Sequence, residues 1–148
     1  MQKKQLYEEC QRLIQQRIDV IDAAMREAQG SANEETKSSA GDKYETGRAM
    51  MHLETEKLTS QRVEILKLKR VLDQIDPLRP ASDVSLGSLV HTEQGLFYLA
   101  VGLGTVAVEE QFCTVISPMA PLGQALRGHR IGDQVTFNGR SFSIHNIQ

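Results

Sequence analysis

The sequence predicts an α+β chain, with an N-terminal antiparallel helical hairpin followed by a small β-sheet domain that carries one short helix. Three observations predict it. The first half holds two heptad-spaced apolar seams, the pattern changes to short β-type runs after Leu86, and charge is divided unevenly along the chain. Residues 1–80 hold 14 Lys/Arg and 14 Asp/Glu, whereas residues 81–148 hold 3 and 5.

The first helix is carried by Tyr7, Ile14, Ile21 and Ala28, which recur every seven residues, with Ile18 and Met25 at the alternate positions. That spacing is a coiled-coil seam. Met51, Leu58, Ile65 and Leu72 repeat it in the second helix, with Leu68 and Ile75 on the same face. Between them, Gly30-Ser31-Ala32-Asn33 and Ser38-Ser39-Ala40-Gly41 predict helix stops. Asp42 reads as an N-cap, with Glu45 three residues on closing a capping box. The Gly41-Asp42-Lys43-Tyr44-Glu45 segment is thus expected to turn at the hairpin tip, roughly 50 Å from the packed body at about 1.5 Å per helical residue. The second helix should end at Asp76-Pro77, because proline pushes the preceding residue out of helical geometry. Paired through a turn, two short seams bury each other's apolar stripe, which makes an intramolecular hairpin the economical arrangement. An intermolecular coiled coil is the rival.

Six runs predict strands: Ser88 to Thr92, Gly95 to Val101, Val106 to Val108, Phe112 to Ser117, Val135 to Phe137 and Ser141 to Ile147. They are rich in β-branched and aromatic residues and bounded by turn signals. Asn138-Gly139 predicts a tight hairpin between the last two, since both residues tolerate positive φ. Pro121 to Arg127 predicts a short helix, with proline near its start and Gly128 after its end. The expected organisation is a hairpin over 1–77 with its tip near 38–46, a proline-stiffened linker over 78–83, and a β-domain over 84–148.

Composition narrows the function classes. Net charge of -2 argues against a generic nucleic-acid binder, which would carry a basic surplus. No stretch approaches the roughly 18 apolar residues of a membrane span, and the N-terminus leads into no apolar signal core, so a cytoplasmic protein is expected. Cys10 and Cys113 lie far apart in sequence and form no metal-ligand spacing. Both are expected to pack. His52, His91, His129 and His145 make no ligand pattern, no nucleophile elbow appears, and Gly102-Leu103-Gly104 lacks the setting of a dinucleotide loop. The chain is therefore not expected to be a free-standing enzyme.

Gly-Asp-x-x-Glu at the tip, Leu72-Asp73-Gln74-Ile75-Asp76 at the close of the second helix, and the run from Ile116 through Pro121-Leu122-Gly123-Gln124-Ala125-Leu126-Arg127-Gly128 to Gly132-Asp133-Gln134-Val135 together resemble the Gre transcript-cleavage factors of bacteria. The resemblance spans nearly the whole chain. It implies a coiled-coil finger that enters the secondary channel of RNA polymerase and an FKBP-like C-terminal domain that docks at the channel rim. Asp42 and Glu45 would then assist the polymerase active site, holding Mg²⁺ jointly with the polymerase and having no cofactor of their own. Arg62, Lys67, Lys69 and Arg70 would engage the 3′ region of the nascent RNA, and Arg127 and Arg130, with His129 beside them, the polymerase. The expected factor is a monomer that stimulates the polymerase's own Mg²⁺-dependent cleavage of backtracked RNA. Tyr44 and Met50-Met51 are candidates for contact with channel walls.

After Glu45 the chain reads Thr46-Gly47-Arg48, where members of that family usually continue with Asn and another acidic residue. This leaves open a second reading, a channel-occupying regulator without cleavage activity. A third is a coiled-coil assembly module whose β-domain binds another protein. FKBP-like folds also include prolyl isomerases, but with no Trp and only Phe97, Tyr98, Phe112, Phe137 and Phe142 in the C-terminal half, isomerase activity is not expected.

Overall fold

The computed structural model describes residues 1–37 and 41–148, with side chains described outside 31–45. Its elements run α1 (Lys3–Lys37), α2 (Gly41–Asp73), β1 (Leu89–Thr92), β2 (Gly95–Leu99), β3 (Gly104–Val108), β4 (Gln111–Ile116), α3 (Pro121–Leu126), β5 (Gln134–Phe137) and β6 (Arg140–Ile147). This is the α+β order the sequence predicts, with strand ends within two residues of the expected ones. The chain divides into two compact units, one of residues Leu13–Lys67 and one of Met1–Arg12 with Leu68–Gln148. No helix among the described residues is long and apolar enough to cross a membrane.

The Leu13–Lys67 unit is a helical hairpin. Ile14, Ile18, Ala28, Leu58 and Ile65 are buried along its seam, while Ile21, Met25 and Met51 are half-buried. Arg62 Nε donates to Asp22 Oδ1 at 2.7 Å and ties α2 to α1. Two sequence expectations fail here. Gly30 does not stop α1, which continues to Lys37, since an isolated glycine costs a helix only about 1 kcal/mol. Nor is Gly41 to Glu45 a turn, because α2 begins at Gly41 and places Asp42 inside its first turn. The proposed N-cap bond of Asp42 and capping-box bond of Glu45 lie outside the described side chains, as does Tyr44.

The second unit is built on a six-stranded sheet of order β3-β4-β2-β1-β6-β5. The β2–β4 pair is parallel and the other neighbours are antiparallel. One face forms a core of Val90, Phe97, Leu99, Val135, Phe142, Ile144 and Ile147, closed by Val84 and by Leu126 of α3. Ile144 and Ile147 are three residues apart, yet both belong to this core. The pairing register shifts between His91 and Thr92, which face Asn146 and Ile144, and an extra residue on one strand reverses the side-chain alternation beyond it. Asn138 (φ 50°) and Gly139 (φ 74°) close the β5–β6 hairpin in the predicted way, with Phe137 opposite Arg140.

The ends of the long helices belong to this same unit. Leu6, Cys10, Leu72 and Ile75 are buried there, so the apolar line of α1 passes through Leu6 and Cys10 rather than through half-buried Tyr7. Tyr7 Oη instead donates to the Leu72 carbonyl at 3.1 Å, and Lys3 Nζ donates to the Arg79 carbonyl at 2.7 Å. Burial pushes both the Cys10 and the Cys113 thiols up to about 12, which makes them poor nucleophiles. Each is close enough to Tyr98 to help raise its phenol, although burial is the main cause. The two cysteines thus pack as expected, but the fold gathers them around one tyrosine, which their spacing in the sequence hides. Helix α2 stops at Asp73, three residues before the expected Asp76. Gln74 and Ile75 donate to the Val71 and Leu72 carbonyls in tighter turns, and Asp76 Oδ1 accepts from Leu78 N–H at 2.9 Å.

Candidate functional site

The acidic positions sit where two long helices meet. Helices of 35 and 33 residues flank residues 38–40, and Asp42 and Glu45 fall within the first five residues of the second helix. Their spacing of three puts the two positions on one helical face. From Leu13 to Lys37 the first arm rises roughly 36 Å at about 1.5 Å per residue. The backbone therefore places a pair of carboxylate-bearing residues at the connection end of a long hairpin. Mg²⁺ takes six oxygen ligands and is commonly held by one or two carboxylates, with waters and substrate phosphates completing its shell. Among the described residues no group of three or more His, Cys, Asp and Glu is arranged to hold a metal ion.

The basic stretch of α2 is largely ion-paired. Arg62 pairs with Asp22 at 2.7 Å, Lys67 with Glu64 at 2.9 Å and Lys69 with Asp73 at 2.7 Å. Arg70 is exposed, and the described residues give it no ion pair. Such pairs between solvent-exposed side chains are weak, so a phosphate can compete for these cations. Arg62 is the most tightly fixed of them, because it joins the two helices. The hydrogen bond it donates to Asp22 raises its pKa, with the Asp22 charge adding to the effect. Asp22 is the member of this group that sequence reading missed, since a partner 40 residues away leaves no local signal.

Arg127 and Arg130 lie in the loop after α3, both exposed. The loop is tightly held. Asp133 Oδ2 accepts from Arg130 N–H at 2.8 Å and lies 3.2 Å from His129 Nδ1. Those bonds hold the Asp133 carboxyl below the usual range, with the Arg130 backbone bond the largest cause. Val84 N–H donates to the His129 carbonyl and Gly128 N–H to the Val84 carbonyl, tying the loop to the segment before β1. At the front of α3, Gly123 packs so closely that a Cβ there would lie 2.1 Å from the Ser117 carbonyl oxygen. The Pro-Leu-Gly-x-Ala-Leu-x-Gly and Gly-Asp-x-Val residues thus shape one rigid loop that presents two arginines. Sequence reading identified the motif but not the bonds that Asp133 makes.

Met50 is exposed and Met51 is half-buried against the hairpin. Leu53, Val20 and Val63 are exposed on the same unit.

No protein-family model matches the chain, and no curated protein matches it. Among solved structures the chain is similar to GreA factor homolog 1 (Gfh1) protein of Thermus thermophilus, at 20% identity over 96% of this chain and 94% of that one, with a TM-score of 0.37. It is also similar to a second structure, described as the transcription factor Gfh1, at 19% identity over 95% and 93% of the two chains, with a TM-score of 0.35.

Proposed function

We propose that this protein is an accessory factor of RNA polymerase whose hairpin enters the secondary channel and whose Asp42 and Glu45 promote the polymerase's own cleavage of backtracked RNA. The observation that carries the reading is the placement of these two residues within the first five residues of α2, at the connection between helices of 35 and 33 residues. The Gre-like motif residues of the β-domain accompany it. A Mg²⁺ ion shared with the polymerase would supply Lewis-acid chemistry at the scissile phosphate. This chain's part is to bring two carboxylates to that ion and to accept hydrogen bonds from its water. Arg62, Lys67, Lys69 and Arg70 attract the RNA phosphates, Arg127 and Arg130 contact the polymerase, and the protein acts as a cytoplasmic monomer.

A second reading has its own support. Thr46-Gly47-Arg48 follows Glu45, and exposed Arg48 lowers the negative charge one turn from the acidic pair. On this reading the hairpin occupies the channel and regulates transcription without cleavage. Defined backtracked complexes of the cognate polymerase test both, with binding and RNA cleavage measured in parallel. Cleavage accelerated by the wild-type protein supports the first reading. Binding with unchanged or slowed cleavage supports the second, and absence of binding rules out both. A concentration-dependent oligomer through Ile14, Ile21, Ile65 and Leu72, without polymerase affinity, would point instead to a coiled-coil assembly module.

A further inference from the structure

The β-domain contains a cavity of about 430 Å³ beside the β5–β6 turn. Its apolar walls are Phe97, Leu122, Phe137 and Phe142. Phe97 and Phe142 meet edge to face, with ring centroids 5.7 Å apart and planes at 75°, and both are members of the buried core. The cavity floor is therefore held by the fold, while Phe137 and Leu122 stand half-buried at its sides. A half-open volume of this size, lined by four apolar and three polar side chains, falls in the range of small-molecule sites.

The polar groups at the rim set the charge of the ligand. Arg140 lines the opening, is exposed, and has no ion pair or side-chain hydrogen bond among the described residues. Asn138 lies beside it with an exposed amide. The carboxylate on the neighbouring β1–β2 turn is occupied elsewhere, since Glu93 Oε2 accepts from Ser143 N–H at 2.6 Å and lies 3.9 Å from His145 Nε2. Gln94 of the same turn is drawn toward the Ser141 carbonyl, 3.5 Å away. An apolar chamber that opens beside an uncompensated guanidinium and a free side-chain amide complements a ring with an anionic tail. A guanidinium also binds a carboxylate more strongly than it binds a neutral amide.

We propose that this cavity binds a small aromatic carboxylate, with the ring seated among Phe97, Phe137 and Phe142 and the carboxylate paired with Arg140. The proposal does not depend on the polymerase reading. It is tested by titrating the full chain with 3-phenylpropanoate and, separately, with 3-phenylpropanamide, following backbone amide resonances by NMR. The expected result is saturable shifts concentrated at the cavity residues, with the amide bound about tenfold more weakly, the ratio a charge-assisted hydrogen bond supplies. R140Q changes an exposed side chain and leaves the core intact, and it should reduce carboxylate binding to the level of the amide. Absence of saturable shifts, equal binding of the two probes, or carboxylate binding unaffected by R140Q would each overturn the proposal.

Discussion

The two compact units solve opposite problems with the same residue types. In the unit that contains the sheet, Tyr98, Leu99, Leu89 and Val115 are fully enclosed, and Leu6 and Leu72 from the helix ends are buried with no exposed surface. Among the described residues of the hairpin unit burial is confined to a single seam, and Val20, Met50, Leu53 and Val63 are exposed. A two-helix hairpin has no third layer to cover the outer sides of its helices, so each residue added to the arms lengthens the probe while burying little. Stability is concentrated where the sheet is, and reach is concentrated where it is not.

The largest stability effect should come from cutting into the sheet-bearing unit. Leu72→Ala removes a side chain with no exposed surface and should cost about 2–5 kcal/mol, read as a lowered midpoint in denaturant unfolding. Leu58→Ala makes the same chemical change in the hairpin seam, where the site can collapse or hydrate, and should cost about 2 kcal/mol or less. If Leu58→Ala proved the costlier, the contrast between the units would be wrong.

Gly123→Ala comes next. Its Cβ would lie 2.1 Å from the Ser117 carbonyl oxygen, a backbone atom that cannot swing aside. A loss of about 1–3 kcal/mol is expected from overpacking, together with altered amide resonances in the loop that carries Arg127 and Arg130.

A smaller effect should follow pH. The carboxyls of Asp133 and Glu93 are both held below their usual range, chiefly by bonds from the Arg130 and Ser143 backbones. A carboxyl whose folded pKa is depressed contributes stability above its unfolded pKa, and that contribution disappears as pH falls through the folded value. Asp133→Asn should therefore lower the melting temperature at neutral pH, with the difference from wild type closing below about pH 4. A difference that persisted or grew in acid would contradict this.

The smallest effect should be the loss of the Asp22–Arg62 pair, both members of which are about one-third exposed. Asp22→Asn should shift melting only slightly, and less still in high salt. A large, salt-independent loss would mean that the hairpin relies on this pair more than on its seam.

How far the sequence could be read follows the same division. Strands and the Asn138-Gly139 turn were legible because their signals are local: runs of β-branched and aromatic residues bounded by turn signals, and a dipeptide that tolerates positive φ. The strand order was not, because the parallel pairing of β2 with β4 and the register shift opposite β1 arise from long-range contacts. The heptads correctly marked Ile14, Leu58 and Ile65 but named Tyr7 where the fold buries Leu6 and Cys10. Near its start, α1 belongs to the sheet-bearing unit, where Cys10 lies close to Tyr98, and a two-helix seam cannot describe packing against more than one surface. Gly30 read as a stop because glycine is a poor helix former, but the helical run on both sides outweighs one such residue. In the candidate site, Asp42 and Glu45 were marked by their motif, whereas the partners of Arg62 and Arg130 emerge only once the chain is folded.

The central claim, that the acidic pair acts at a distance set by the length of the arms, is tested most directly by shortening them. Deleting residues 24–30 and 54–60 removes one heptad from each helix, keeps the seam in phase, spares the Asp22–Arg62 pair and retracts the connection by roughly 10 Å. The shortened protein would be compared with wild type and with Asp42→Asn/Glu45→Gln for cleavage in backtracked complexes, alongside polymerase binding. The account predicts that both altered proteins still bind and that neither stimulates cleavage. Full stimulation by the shortened protein would contradict it.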